Sequence, residues 1–274
     1  LKELQAGKFQ RSAATMEKVA EHYGIPTIHF GVEVARLHQE GKLIFTAPLP
    51  KTEEERRAVG DKIVFAGDAV HPHVKTGHPL YLASIQRSWP GIVAAAKPAS
   101  FAHTLPSPID PQNWETARSV PIAQIQMDGE WQKLSADTPQ AKAGAAKLNE
   151  IWSASKAGTS LTFRFKGRTF GLYGLKGPDA GEFRVTVDNR APVIATQFDS
   201  YCTTNRWRIN PWVYPEELPD EEHEVRIELL GTAPDKLKIL KGKNGTIDDP
   251  AQLAGTNLHV SQLLLLGELL PAKK

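Results

Sequence analysis

The sequence predicts an α/β segment followed by an all-β domain, and three patterns lead to this prediction. Helical periodicity alternates with short apolar runs through residues 1–97. Beyond residue 116, apolar residues recur at every second position, as they do in half-buried antiparallel strands. A proline-rich stretch without periodicity, residues 98–116, separates the two patterns. We therefore expect an α/β domain over 1–97, a linker over 98–116 and a β-sandwich over 117–274.

Composition narrows the classes of function. The chain has 274 residues, of which 41% are hydrophobic and 23% charged, which is ordinary globular material. The formal net charge of +2 arises from interspersed acidic and basic residues, so no nucleic-acid partner is expected. No apolar run approaches the roughly 20 residues of a membrane span. Cys202 is the single cysteine, which excludes an internal disulfide and any metal site built on several cysteines.

The first part of the chain reads as alternating helices and strands. An amphipathic helix is predicted from about Gly7 to Tyr23, ending at Gly24. The next segment, Ile25 to Phe30, is predicted to be a buried strand. A helix over Val32 to Gln39 follows and ends near Gly41. This order indicates a parallel sheet with helices on its faces.

The pattern continues to residue 97. Residues 43–50 are interpreted as a variable insertion, and a charged helix is expected over Thr52 to Val59. An apolar strand over Ile63 to Phe65 then leads into a loop punctuated by proline and glycine, and a closing helix runs from about Pro79 to Lys97. Because open parallel sheets place their sites at the carboxyl ends of strands, the loop after this strand is the expected site.

The second part reads as an antiparallel sandwich of jelly-roll type. Period-2 alternation is clearest over residues 161–165, 183–187 and 225–229, and glycines mark the turns between them. One helix, over Thr138 to Ser155, is expected to interrupt the strands. The last strand is predicted from Leu258 to about Leu266.

The loop after Phe65 carries a candidate catalytic pair, Asp68 and His71. The turn between them can bring the imidazole back beside the carboxylate, and Pro72 keeps the chain extended just beyond it. A carboxylate bonded to one ring nitrogen fixes the tautomer and stabilises the imidazolium. The other ring nitrogen is then free to take a proton from a nucleophile, so the pattern favours a general base.

Other histidines have alternative interpretations. The same D-x-x-H spacing recurs at Asp220 and His223, but in a turn before a sandwich strand, so we interpret it as structural. His71, His73 and His78 together with Asp68 could instead form a zinc site, since catalytic zinc accepts three protein ligands and water. His78 is interpreted as a hydrogen-bonding residue at a helix start.

One further histidine and a group of aromatic residues are also candidates for a functional role. His29, in the predicted strand, is interpreted as a core histidine. Aromatic residues between sandwich strands could stack on a sugar ring, although such residues more often fill a core or an interface: Tyr201, Trp207, Trp212 and Tyr214.

The run GDAVHP at 67–72 and the run GHPLYLASI at 77–85 together resemble the last conserved block of the SGNH, or GDSL-type, hydrolases. The resemblance covers residues 1–97 and implies a flavodoxin-like α/β/α ester hydrolase using Ser, His and Asp, without a cofactor or metal. Asp68 and His71 would be the orienting carboxylate and the general base. The sandwich is more loosely similar to accessory jelly-roll domains of carbohydrate-directed esterases, which implies a carbohydrate ester or a smaller ester as substrate.

The family's G-D-S block, with its nucleophile, and its oxyanion-hole blocks have no counterpart in this sequence. The nearest string, FDSY at 198–201, lies inside the sandwich, so Ser200 is interpreted as structural. We therefore expect the chain to be the C-terminal portion of a longer hydrolase, secreted or periplasmic if its substrate is an extracellular glycan. The alternative is a non-catalytic sandwich protein that binds a carbohydrate or a partner.

Overall fold

The structure is a computed structural model that describes residues 1–96, 104–241 and 249–272. The chain divides into two compact units, residues 1–112 and 113–274. This division falls inside the predicted linker of residues 98–116, of which 98–103 lie outside the described residues. Within the part of the chain that is described, no helix is long and apolar enough to span a membrane.

The first unit consists of five helices and two strands. In chain order they are α1 (Lys2–Gln5), α2 (Arg11–Tyr23), α3 (Gly31–Gln39), β1 (Leu43–Thr46), α4 (Glu53–Val59), β2 (Ile63–Ala66) and α5 (His78–Ala95). Gly24, in the left-handed conformation, ends α2 as predicted. The helix α4 begins with a capping box, in which Thr52 and Glu55 exchange side-chain to backbone hydrogen bonds.

The two strands of this unit form a parallel pair. Leu43 lies opposite Ile63, and Thr46 lies opposite Ala66. Val64, Phe65 and Ala66 are buried, and a small core forms around them with residues of α3 and α5. Such a run, apolar on both faces, is typical of a strand in a parallel sheet.

Two predictions for this unit were wrong. Residues 25–30 form no strand; they are mostly exposed loop that leads into α3. The strand next to β2 is instead β1, inside the segment 43–50 that was interpreted as an insertion. The segment Leu43 to Thr46 is short and is followed by Ala47-Pro48, so its apolar pattern is weaker than that of residues 25–30. Only its pairing with β2 identifies it as a strand.

One face of α5 is apolar and exposed. Leu82, Ile85, Trp89 and Val93 recur at three- and four-residue spacing, which places them along one side of the helix. Their exposed fractions lie between 37% and 58%. The opposite side carries Leu80 and Tyr81, which pack on the small core. The helix α5 therefore has an apolar side that no other described residues of the first unit bury.

The described residues of the second unit form ten strands and two short α-helices. They are β3 (Ala117–Pro121), β4 (Gln126–Asp128), β5 (Gln132–Lys133), α6 (Pro139–Gly144), β6 (Trp152–Ala154), β7 (Ser160–Lys176), β8 (Glu182–Val187), β9 (Val193–Thr196), β10 (Arg208–Val213), β11 (Glu221–Leu229), α7 (Lys236–Leu240) and β12 (Leu258–Leu270). The predicted helix over Thr138 to Ser155 is wrong: α6 has six residues, and the segment ends in the three-residue strand β6.

The long strand β7 organises this unit. One of its edges pairs first with β11 and then with β10, and its other edge pairs with β4 and then with β12. The strand β11 continues the sheet to β8 and β9, while β12 continues it to β3 and β6. All the strand pairings in this sheet are antiparallel. Because both edges of β7 are paired, β7 lies at the centre of one large sheet.

The sheet bends sharply where β7 and β12 each carry a glycine. Gly167 and Gly267 lie opposite each other, with φ of 154° and 149°. A Cβ on Gly167 would lie 2.2 Å from the Leu266 carbonyl oxygen, so no larger residue fits. The rings of Phe165 and Phe170 approach to 5.6 Å, although five residues of straight strand would span about 16 Å and direct the two side chains to opposite faces. The bend folds the sheet into a sandwich.

Alternating side chains from both halves fill the sandwich. The core contains Phe163, Phe165 and Phe170 from β7, Val225 and Ile227 from β11, and further buried residues from neighbouring strands. Period-2 alternation predicted Phe163, Phe165, Val225 and Ile227, whereas Phe170 is out of phase with Phe165 and reaches the core because of the bend. Cys202 is fully buried in a smaller adjoining cluster, and burial raises the pKa of its thiol.

Candidate functional site

Asp68 and His71 lie on the loop that follows β2, at the carboxyl end of the parallel pair. The imidazole Nδ1 is 2.7 Å from the Asp68 Oδ2 atom. The other carboxylate oxygen, Oδ1, accepts hydrogen bonds from the backbone N–H groups of Val70 (3.0 Å) and His71 (2.8 Å). One carboxylate therefore shapes the turn with one oxygen and orients the histidine with the other.

The backbone between the two residues is unusual. Ala69 has φ of 63°, in the left-handed region that residues with a Cβ seldom occupy. This conformation closes the turn tightly enough for both backbone N–H groups to reach Asp68. The hydrogen bond from His71, followed by those two amides, holds the pKa of Asp68 well below its usual range. Asp68 is consequently ionised at neutral pH and can stabilise a protonated imidazole.

The loop is anchored to the sheet on both sides of the pair. The backbone N–H of His73 donates to the Phe65 carbonyl (2.8 Å), and the ring Nε2 of His73 lies 3.0 Å from the Ala47 carbonyl oxygen at the end of β1. The Thr76 hydroxyl donates to the Val64 carbonyl. A Cβ on Gly77 would lie 2.6 Å from the Phe65 carbonyl oxygen, so glycine lets the loop return against β2.

The outer nitrogen of His71 is open. The His71 side chain is 83% exposed, and that of Asp68 is 56% exposed. The Nε2 atom of His71 makes no hydrogen bond with any described residue. No serine hydroxyl among the described residues bonds to the His71 ring. Ser84, near the start of α5, donates its hydroxyl to the Leu80 carbonyl instead. The pair thus has an oriented base without an attached nucleophile.

The neighbouring histidines do not join this site. His73 is turned toward Ala47, and His78 is exposed at the first position of α5. Among the described residues, no three His, Cys, Asp or Glu side chains form a group that could hold a metal ion. His29 is only half-buried in a loop and stacks on Phe9 at 4.8 Å, so its interpretation as a core histidine was wrong.

The second D-x-x-H has a different geometry. His223 is 2% exposed, and its Nδ1 pairs with Asp188 at 2.8 Å, not with Asp220. Its Nε2 lies 2.9 Å from the Pro219 carbonyl oxygen. Burial raises the pKa of Asp188, but the hydrogen bonds from the Glu224 backbone and His223 more than offset this and lower it. Both ring nitrogens are engaged inside the protein, so this histidine has a structural role, as interpreted.

The aromatic residues proposed for sugar stacking separate into different environments. Tyr214 is buried in the core, where Trp212 also packs. Tyr201 is 46% exposed, and the Arg208 guanidinium lies 5.2 Å from its ring centroid. Trp207 donates its indole N–H to Asp179 at 2.7 Å. All four therefore have contacts within the chain, and Tyr201 is the most exposed of them.

Asp179 is a buried carboxylate with several hydrogen-bond donors around it, and the sequence did not predict this network. Besides Trp207, it accepts hydrogen bonds from Asn257 (3.0 Å) and from the Nε2 of His259 (2.9 Å). Burial opposes ionisation of this carboxyl, yet the bonds from His259, Trp207 and Asn257 bring its pKa well below the usual range. Its partners lie 28 to 80 residues away in sequence, so no local motif could have indicated them.

Neither the models of known protein families nor the curated proteins include a sequence match to this chain. Its fold is similar to two crystal structures of a two-domain esterase (CEX) active on acetylated mannans, one of them co-crystallized with mannopentaose. The TM-scores are 0.54 and 0.53, at 18% and 17% identity. A weaker likeness, with a TM-score of 0.34, is to a family two carbohydrate esterase from Cellvibrio japonicus, at 15% identity over 58% of this chain and 36% of that chain.

The similarity to the two-domain esterase covers 94% of this chain, so it includes both units. In the other direction it covers 58% and 59% of the esterase chain. This chain therefore spans somewhat less than three fifths of the length of that esterase. At this level of identity the likeness establishes the fold: a small α/β unit followed by a β-sandwich.

Proposed function

We propose that this chain belongs to an SGNH-type ester hydrolase that removes acetyl or similar acyl groups from carbohydrates. In this proposal His71 is the general base and Asp68 is the carboxylate that orients it. The observation that carries the proposal is the double use of Asp68. Its Oδ2 holds Nδ1 of His71, its Oδ1 fixes the turn, and Nε2 of the imidazole faces outward without a partner among the described residues.

The geometry suits acyl transfer through a serine. Nε2 of His71 takes the proton of the serine hydroxyl while the serine oxygen attacks the ester carbonyl carbon. The imidazolium, stabilised by ionised Asp68, then returns that proton to the leaving sugar oxygen as the ester bond breaks. A water molecule repeats the sequence on the acyl-enzyme, and its proton passes through His71 to the serine. The acid and the free enzyme are released.

The serine and the oxyanion donors are proposed to come from residues outside 1–274. Two observations support this part of the proposal. No serine hydroxyl of the described residues bonds to His71, and the structurally similar esterase chains are longer than this one. The exposed apolar side of α5 is consistent with further chain packing on the unit. The carbohydrate substrate is inferred from the fold that the chain shares with an esterase active on acetylated mannans.

The test compares two proteins: the chain itself and a longer polypeptide that contains it together with the serine. Hydrolysis of p-nitrophenyl acetate and release of acetate from acetylated mannan are measured for both. The chain itself should show little hydrolysis, because it lacks an aligned hydroxyl and the donors that stabilise the oxyanion. In the longer polypeptide, His71→Ala should lower turnover by up to about four decades, and Asp68→Ala should lower it without unfolding the protein.

The matched control is Asp220→Ala, which removes the exposed aspartate of the second D-x-x-H. His223→Ala is unsuitable as a control, because His223 is buried and bonded on both nitrogens. Full turnover in the His71→Ala variant would show the catalytic assignment to be wrong. Robust hydrolysis by the chain itself, abolished by a serine-directed inhibitor, would instead place the nucleophile inside residues 1–274.

A further inference from the structure

A cavity of about 280 Å³ lies in the second unit, and none of its lining residues belongs to the loop of Asp68 and His71. It is bounded by the end of β3, by the segment before β6 and by the middle of β12. The residues that matter for its chemistry are Asn149, Glu150, Trp152, Ser261 and Gln262. Its volume is close to the lower end of the roughly 300–1,000 Å³ found for small-molecule pockets, so it suits one small ring.

A β-bulge directs Ser261 into this cavity. On β12, Val260 lies opposite Gly174 and Gln262 lies opposite Tyr173, so Ser261 is an extra residue without a counterpart on β7. A bulge of this kind turns a side chain away from the regular alternation, and bulges are over-represented next to functional sites. Ser261 is only 6% exposed, and no described residue forms a hydrogen bond with its hydroxyl. The Oγ atom is not fully buried, so the hydroxyl is accessible from the cavity that the residue lines.

Two further polar side chains of the cavity, Asn149 and Gln262, can bond to a ligand. Trp152 contributes its ring rather than its indole N–H, because that N–H is buried and inaccessible from the cavity. Asn149 is exposed, and its amide makes no hydrogen bond there. Gln262 accepts a hydrogen bond from the Ser119 hydroxyl at its Oε1 atom, which leaves its NH₂ group free. Together these groups offer several donors and, at Ser261 and Asn149, acceptors.

The charge of the cavity is balanced. Glu150 is its one ionisable side chain among the described lining residues, and the Lys133 ammonium pairs with that carboxylate. No unpaired cation is available for a phosphate or a carboxylate ligand. The unpaired polar groups would be left unsatisfied by a hydrocarbon. The chemistry that satisfies mixed donors and acceptors beside an aromatic ring is a neutral polyhydroxylated ring.

We propose that this cavity binds one neutral pyranose unit of a glycan, with Ser261, Asn149 and Gln262 hydrogen-bonded to its hydroxyl groups and the Trp152 ring beside it. This binding site is independent of the proposed ester hydrolysis, because none of its residues lies on the loop of Asp68 and His71. It would give the second unit a role in holding a polysaccharide near the chain.

The test titrates the full chain with methyl β-D-mannopyranoside, methyl β-D-glucopyranoside and methyl β-D-xylopyranoside. Binding is followed by NMR through the Trp152 indole N–H signal, which a Trp152→Phe variant assigns. At least one glycoside should bind saturably with a Kd of about 1 mM, since a single sugar forms few contacts. Ser261→Ala should weaken that binding by about three- to tenfold through the loss of one hydrogen bond, with an unchanged Tm.

Ser160→Ala is the matched control, because Ser160 is also buried with an unpaired hydroxyl but lies outside the cavity. It should leave the affinity unchanged. If Ser261→Ala does not fold, Asn149→Ala, at an exposed position, should produce the same loss. Absence of saturable binding by all three glycosides up to about 100 mM would overturn the proposal. Equal affinities of the Ser261→Ala, Asn149→Ala and Ser160→Ala variants, or tighter binding of methyl β-D-glucuronide than of the neutral glucoside, would also overturn it.

Discussion

Ala69 is the residue on which the geometry of the Asp68–His71 pair depends most directly. Its side chain is exposed and its φ is 63°, so substitutions here test the backbone with little loss of packing. We expect Ala69→Val to destabilise the first unit by about 1–2 kcal/mol, because a β-branched residue is disfavoured in the left-handed region. Ala69→Gly should be nearly neutral, since relief of strain offsets the greater freedom of glycine in the unfolded chain.

The measurement for Ala69 is chemical denaturation combined with NMR detection of the His71 Nδ1–H signal. In the valine variant that signal should weaken or disappear as the turn opens, while the glycine variant should keep it. An unchanged signal and stability in Ala69→Val would mean that the turn does not control the pair.

Asp179 should make the stability of the second unit depend on pH. Its folded-state pKa is depressed below the ordinary value of about 3.9, so its contribution is present above about pH 4 and is lost as the pH falls further. Asp179→Asn should lower the free energy of unfolding at pH 7 by about 3 kcal/mol, because it leaves His259 without its buried charge partner. The difference between wild type and variant should shrink as the pH falls from about 5 to 2.

Urea denaturation across this pH range measures the effect of Asp179. Asp137→Asn, which changes an exposed aspartate without a hydrogen bond to the described residues, is the control. A constant difference between wild type and Asp179→Asn at all pH values would contradict the charged network.

Residue pairs that are close along the chain could be predicted from the sequence. Pairs that are distant along the chain could not. Asp68 and His71 are three residues apart, and a short turn suffices to bring them together. The partner of His223 is Asp188, 35 residues away, which only the pairing of β8 with β11 brings near. The unpaired hydroxyl of Ser261 depends on a bulge, and a bulge has no signature in a run of apolar residues.

The bend in β7 and β12 is the element on which the sandwich depends. We expect Gly167→Ala to destabilise the second unit by about 3 kcal/mol or more, the upper end of overpacking costs, because its Cβ would collide with backbone of β12. Gly158→Ala is the matched control: this glycine has φ of 84°, but no atom lies within 4 Å of the position that an added methyl group would take. It should cost only about 1 kcal/mol of backbone strain.

Thermal and urea unfolding of the two glycine variants provide the comparison. Equal losses would mean that the approach of β7 to β12 is not needed for the fold, and that only the backbone conformation of these glycines matters.

Elements were predictable where their pattern was long. The helices α2, α3, α4 and α5 and the strands β8 and β11 lie within a few residues of their predicted positions. The alternation over residues 161–165 marks only the start of β7, which continues to Lys176 through glycines that were predicted to be turns. The short strand β1 was missed because four residues carry too little periodicity, and residues 25–30 were misread for the same reason. The predicted helix over 138–155 failed because Trp152–Ala154 form a strand that pairs with β12.

For the whole molecule, we expect residues 113–274 to fold without the first unit. This segment contains the complete core of the sandwich and all ten strands of its sheet. A core of this size is sufficient for an independent domain. The measurement is a thermal melt of the expressed segment followed by circular dichroism, which should show one cooperative transition. A gradual, non-cooperative melt would contradict the independence of the second unit.

Helical periodicity gives way to period-2 alternation beyond residue 116, and the described elements follow that order, with the parallel pair before the antiparallel sheet. The site was predicted only in part, since the pair of Asp68 and His71 is local, whereas the cavity beside Ser261 joins three segments distant in sequence. Such a cavity follows from strand register, which apolar alternation alone does not determine.

The position of β12 has a consequence for biosynthesis. It pairs with β3, β6 and β7, and Ser119 on β3 bonds to a residue 143 positions later in the chain. The ribosome releases β12 after all the other strands, so the apolar edge of β7 stays open until Leu258–Leu270 have been synthesised. Closure over such long sequence separations is slow. Until β12 has paired, the nascent sandwich therefore exposes an unpaired strand edge of the kind that is prone to aggregation.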